Sequence, residues 1–120
     1  MITHYKEMVV WKKAIQMVAD IYKLTRTFPK EEIYGLTSQL RRAAVSVPSN
    51  IAEGHARGGR AEYKQFLIIS RGSLAEVETQ LIIAERLDYA TQAQLAPIIS
   101  LHEEVGKMLN ALLKKLVPSP

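Results

Sequence analysis

The chain has 120 residues, 48% hydrophobic but only 7% aromatic, with 16 Lys and Arg against 12 Asp and Glu for a net charge of +4. That length suits one domain with one core, and the shortage of aromatics leaves Leu, Ile, Val and Ala to fill it, which favours helices over a β-sandwich. There is no cysteine, which excludes disulfides, thiolate catalysis and cysteine-bound zinc and suits a reducing compartment.

The segment from Met1 to Gln16 mixes charge into its apolar residues at helical spacing and so lacks the apolar core of a signal peptide. No stretch approaches the roughly 18 apolar residues that a membrane span needs. A cytoplasmic protein with no membrane partner is therefore expected.

The first periodic segment covers about 5–27. Met8, Trp11, Ile15, Val18 and Tyr22 form one stripe, and Val10, Ala14, Met17, Ile21, Leu24 and Phe28 a second beside it. Together they span an arc of roughly 160°, wider than the ~100° a helix needs to face a single core. This predicts packing on more than one neighbour, in the same chain or in another copy. Phe28-Pro29-Lys30-Glu31-Glu32 breaks the helix and is expected to open a second over 30–55, with the glutamates on its N-terminal dipole. Its apolar face is Ile33, Leu36, Leu40, Ala43, Val47 and Ile51. Pro48 falls in phase, so it predicts a kink or one missing backbone bond and not a stop.

The run from Gly54 to Arg60 reads as a turn, followed by a third helix over 60–89 with Tyr63, Phe66, Leu67, Ser70, Leu74, Val77, Leu81 and Ala84 on its buried face. Gly72, mid-helix, costs about 1 kcal/mol relative to alanine, which predicts the close approach of a neighbouring helix. Thr91 is the expected N-cap of a fourth helix over 92–116, whose stripe is Leu95, Ile98, His102, Val105, Leu109, Leu112 and Leu116. Residues 118–120 are expected to be a frayed tail. The fold class is all-α, an up-down-up-down antiparallel four-helix bundle over 1–117, about 30–40 Å long.

Catalysis finds little support in the residues. His4, His55 and His102 lie in different segments, no Glu-x-x-His pair suits a di-iron bundle, and no serine has a nearby His and Asp. Neither a cofactor nor a metal is expected, and His102, alone in an apolar stripe, reads as a hydrogen-bonded core or interface residue. Helix two carries a polar stripe next to its apolar face, Gln39, Arg42, Ser46, Ser49, Asn50, Glu53 and Arg57, and helix three carries Arg71, Ser73, Glu76 and Glu78 at similar height. These predict a polar network fixing helix register, with Arg42 pairing to a glutamate of helix three and Arg71 to Glu53.

Between residues 41 and 71 six basic residues face two acidic ones. Arg57, Arg60 and Lys64 flank the glycine-rich turn, where backbone N–H groups and the helix dipole favour an anion such as phosphate. Lys12-Lys13 and Lys114-Lys115 read as solvated pairs or as favourable charge at helix ends.

Val10-Trp11-Lys12, Phe28-Pro29-Lys30-Glu31-Glu32, Tyr34-Gly35-Leu36, Gln39-Leu40-Arg41-Arg42-Ala43, the run from Ser46 to Gly54 and Arg71-Gly72-Ser73-Leu74-Ala75-Glu76 resemble the signature of the four-helix-bundle proteins named for intervening sequences in bacterial 23S ribosomal RNA genes. The resemblance runs to about Leu116. It implies an antiparallel bundle assembled as a ring-shaped homopentamer, which would account for the wide apolar arc on helix one. The chain is also similar to the accessory variability proteins of diversity-generating retroelements, whose basic pentameric barrels bind nucleic acid.

Two functions follow as expectations. One is a non-catalytic oligomer that binds RNA or DNA non-specifically at phosphates through Arg57, Arg60, Lys64, Arg41 and Lys12. The other is a structural or protein-interaction scaffold without nucleic acid, in which the basic residues are dispersed and paired to glutamates such as Glu31, Glu32, Glu103 or Glu104.

Overall fold

Four helices account for the fold in the computed structural model, which describes residues 4–116. They are α1 (Val9–Thr25), α2 (Leu36–Arg57), α3 (Arg60–Arg86) and α4 (Gln92–Lys115), with short 3-10 turns at Tyr5–Glu7 and Lys30–Glu32. Each helix packs on two others: α1 and α3 both rest on α2 and α4. The result is an antiparallel bundle of 48 × 23 × 22 Å. The tail at 118–120 lies outside the described residues.

The second apolar stripe of α1 supplies the core: Val10, Ala14, Met17, Ile21 and Leu24 are buried against Leu40, Val47, Ile51, Leu67, Val77, Val105 and Leu109. Each large side chain buried this way contributes about 1.5–3 kcal/mol. The buried polar residues among those described, Thr25, Thr37, Ser70 and Ser73, are all hydroxyl-bearing. A hydroxyl can satisfy itself on a carbonyl of its own helix or of a neighbour: Thr25 donates to Ile21 at 2.8 Å, and Ser70 to the carbonyl of Val47 on α2 at 2.9 Å. The first stripe is less buried: Met8 is in the core, Trp11 and Val18 are half-buried, and Ile15 and Tyr22 are 41% and 37% exposed. Trp11, Ile15 and Val18 border, with Val45 and Ala52, an open groove of about 360 Å3 between α1 and α2.

Several boundaries differ from the sequence expectation. Helix two begins at Leu36 and not at residue 30, because Glu32 folds back and its Oε1 accepts the Leu36 N–H at 3.1 Å. That carboxylate caps α2 from outside it, and Ile33, expected in the core, is 48% exposed in the connection. Pro48 leaves α2 continuous from Leu36 to Arg57. The turn is only Gly58–Gly59; Gly58 adopts φ 79°, a left-handed conformation that glycine takes without strain. Gly54 lies inside the helix.

Helix three stops at Arg86, three residues early. Asp88 takes φ 62°, and the N–H groups of Asp88 and Tyr89 return to the carbonyls of Glu85 and Ala84, closing a Schellman motif. Thr91 caps α4 as expected, in a reciprocal capping box with Gln94. Late in α4 the buried residue is Leu113, while Leu112 is only half-buried. A strict seven-residue stripe drifts by about 20° per heptad on a straight helix, so the expectation slipped one position by the last turn. Gly72 has no helix beside it: a Cβ built there meets nothing within 4 Å.

Candidate nucleic-acid interface

The five basic residues singled out in the sequence do not form one patch. Arg57 ends α2 and is neutralised: its Nη2 lies 2.7 Å from Glu53, its Nη1 3.6 Å from Glu62, and its guanidinium covers the Phe66 ring at 5.0 Å. The hydrogen bond that Arg57 donates to Glu53 raises its pKa further. Glu62, in the first turn of α3, lies over Gly59, where a Cβ would stand 2.8 Å from its carboxylate. The helix N-terminus expected to attract phosphate therefore already carries a carboxylate of its own chain. Arg41 is held between α1 and α2, with Nε donating to Thr25 at 2.8 Å and the guanidinium 4.7 Å above the Tyr22 ring. Lys12 is exposed on α1, which does not pack on α3.

Arg60 and Lys64 do come together, on the α3–α4 side. Arg60 opens α3 and its Nη2 donates to the Lys115 carbonyl at 2.7 Å, so the cation sits on the C-terminal end of α4. One turn further, Lys64 lines a groove of about 410 Å3 with Ile68, Arg71, Asn110, Leu113 and Lys114. Arg71 reaches across it, donating to the Asn110 side-chain oxygen at 3.3 Å. Three cations line the groove and no carboxylate does.

Sequence reasoning placed Arg71 in the polar network and left Lys114 as a solvated charge. The signal for Arg71 was present: it stands two residues before Ser73, about 200° away around the helix, and so cannot share a face with it. Lys114 and Asn110 are one turn apart on α4, but nothing in a single sequence fixes which face of α4 meets α3.

The polar network divides in two. Ser46, Asn50 and Ser73 form a half-buried chain between α2 and α3: Ser73 donates to the Ser46 hydroxyl at 2.8 Å, and Asn50 donates to the same hydroxyl at 2.9 Å and to the Ser46 carbonyl at 2.7 Å. Above it opens a cleft of about 340 Å3 lined by Gln39, Arg42, Ala43, Ser46, Ser73, Glu76 and Gln80. Arg42 and Glu76 line it from different helices, yet neither forms an ion pair among the described residues. The expected Arg71–Glu53 pair is not formed either, since Glu53 holds Arg57 and Arg71 holds Asn110. Gln80, missed in the sequence, has its side-chain oxygen buried without a hydrogen-bond partner among the described residues.

His102 is half-buried with Nε2 2.7 Å from the Leu74 carbonyl, a contact that ties α4 to α3 and places the proton on Nε2. Among the described residues there is no group of three or more His, Cys, Asp and Glu able to hold a metal, and no helix long and apolar enough to cross a membrane.

No curated protein matches the chain. The chain is similar to a crystal structure of a protein of unknown function from the S23 ribosomal protein family of Bacteroides thetaiotaomicron, at 26% identity and a TM-score of 0.79, over 88% of this chain and 99% of that one. Residues 6–111 match the 23S rRNA-intervening sequence proteins. With the match spanning nearly all of the bundle and that structure reproducing its fold, the chain belongs to the 23S rRNA-intervening sequence protein family.

Proposed function

We propose that this chain is a non-catalytic cytoplasmic bundle that assembles with copies of itself and binds RNA or DNA at phosphates without sequence preference. What supports the reading most is the α3–α4 groove, where Lys64, Arg71 and Lys114 converge with Asn110 and no carboxylate intervenes. A phosphate entering there gains charge-assisted hydrogen bonds from Arg71 and two ammonium groups, and Arg60 extends the positive surface toward the end of the bundle. The four cations neutralise backbone charge but offer nothing to distinguish bases. The dispersed cations Arg41 and Arg57, each already holding a partner in its own chain, contribute to the fold and not to the ligand.

Assembly is supported by the less buried apolar stripe of α1, and the family resemblance implies a ring of five. A scaffold without nucleic acid is the second reading, favoured by the pairing of Arg57 with Glu53 and Glu62 and of Lys13 with Glu104, which removes cations from the free surface.

Fluorescence anisotropy with a labelled structured RNA and a DNA duplex decides between them, read at about 50 and 200 mM salt because phosphate contacts lose affinity steeply with ionic strength. The native protein is expected to bind both ligands, more weakly at the higher salt. The Lys64→Glu/Arg71→Glu/Lys114→Glu variant should fall to background and Lys12→Glu should stay near native. A folded native protein that binds neither ligand at the lower salt would leave the scaffold reading standing.

A further inference from the structure

The α2–α3 cleft has a chemistry that the phosphate groove lacks. On its walls stand one cation, Arg42, and one carboxylate, Glu76, both exposed and neither in an ion pair among the described residues. A cation and a carboxylate bordering one small cleft without pairing leave both available to a ligand. A ligand that satisfies both presents adjacent N–H donors next to a carbonyl oxygen.

Gly72 adds an independent observation. It lies mid-helix on the exposed side of α3, where it costs helix stability and relieves no contact of its own chain, since a Cβ there would meet nothing within 4 Å. Around the helix it falls between Arg71, which lines the phosphate groove, and Ser73 and Glu76, which line the cleft. With Ala75 beside it, it makes a low saddle from one site to the other, of the kind that lets a ligand approach a backbone closely.

We propose that the cleft is a base pocket that receives the Watson–Crick edge of a guanine from a single strand whose backbone lies in the α3–α4 groove and crosses α3 at Gly72. Glu76 accepts the N1 hydrogen and one N2 hydrogen, and Arg42 donates to O6. Adenine and the pyrimidines offer no matching edge: cytosine and adenine lack the N1–H beside an amine, and uracil lacks the amine. The serine pair below the cleft, Ser46 and Ser73, already satisfied by each other and by Asn50, acts as a rigid floor.

The inference rests on the reading that nucleic acid is bound at the groove and adds to those sequence-blind phosphate contacts a preference for one base in single strands; one experiment separates the two. Labelled single-stranded RNAs of equal length, all uridine, uridine with one central guanosine, and uridine with one central inosine, are titrated into the native full-length protein and into Glu76→Gln. The native protein should prefer the guanosine strand over all-uridine by about tenfold, the size of one bidentate base contact, with inosine between them because it lacks the N2 amine. Glu76→Gln, an exposed substitution, should remove that preference without weakening all-uridine binding, since it takes a negative charge away from the path of the strand. Equal binding of the three strands by the native protein overturns the base pocket and leaves the phosphate reading intact. Binding of none of them overturns both.

Discussion

Gly54 and Gly72 each interrupt a helix at a cost of about 1 kcal/mol relative to alanine, and their surroundings are opposite. A Cβ on Gly54 would stand 2.7 Å from the Phe66 Cβ and 3.2 Å from the Tyr63 ring, so alanine there forces α2 and α3 apart at their closest approach. Overpacking of this kind costs about 1–3 kcal/mol, and the stiff neighbour atom is a Cβ, which cannot swing away. At Gly72 alanine meets nothing and recovers the helix propensity. Thermal melts followed by circular dichroism should therefore move in opposite directions, Gly54→Ala downward and Gly72→Ala upward by the equivalent of about 0.5–1 kcal/mol. A Gly72→Ala variant that melts lower than native would mean that another surface packs on that position. The sequence marked Gly72 as a place of close approach and read Gly54 as the start of a turn, the reverse of what the chain itself does. Helical phase alone separates neither case, because an inward glycine and an outward one differ only in what stands opposite.

At the scale of elements, the connections were the least legible part of the sequence. Spacing did not choose between the two stripes that α1 offered, whereas the buried face of α3 followed from spacing alone, because its long periodic stripe leaves one buried side. The start of α2 did not, since Glu32 caps the helix from a 3-10 turn and its role depends on Tyr89, 57 residues away, whose hydroxyl donates to Glu32 Oε2 at 2.8 Å. Phe28 packs against the same tyrosine with ring centroids 5.5 Å apart. The α1–α2 and α3–α4 connections, which meet at one end of the bundle, are thus joined through one carboxylate. The Leu36 N–H first, and the Tyr89 hydroxyl second, hold the Glu32 carboxyl below its ordinary value of 4.5, against a smaller opposing effect of burial. A carboxyl whose pKa is lowered on folding stabilises the fold fully above its unfolded value, and that contribution fades as pH falls through the folded value. The Glu32→Gln variant should accordingly be less stable than native in urea titrations at neutral pH. The difference should begin to close near pH 4.5 and vanish at more acid pH. A difference independent of pH would show that the carboxylate acts by shape and not by charge. The same hydrogen bond raises the Tyr89 pKa, so Tyr89→Phe should lose its effect at the alkaline end instead.

For the whole molecule, the distribution of apolar surface constrains how copies can meet. The groove between α1 and α2 presents Trp11, Ile15, Val18 and Val45, while the C-terminal part of α3 projects a ridge of Ile82 and Ile83, with Leu87 just beyond the helix. The α1 side of the groove and the ridge lie on helices that do not touch each other within the bundle. A two-fold dimer would join like to like and leave one of them uncovered, whereas a head-to-tail contact would cover both and give a ring where its rotation closes. The wide apolar arc of α1 was legible in the sequence; that the excess faces out beside α2, and that α3 carries a counterpart, required the packing of all four helices. An Ile15→Lys variant damages only the groove and an Ile82→Lys/Ile83→Lys variant only the ridge. Each alone should run as a monomer of 13.5 kDa in size exclusion with light scattering, while the native chain assembles to a discrete larger species. Mixed in equal amounts, the two variants still possess one intact groove and one intact ridge between them, so they should form a one-to-one pair that grows no further. A like-to-like interface gives a different result in the same mixture: the groove variant or the ridge variant would dimerise by itself, and mixing would add nothing.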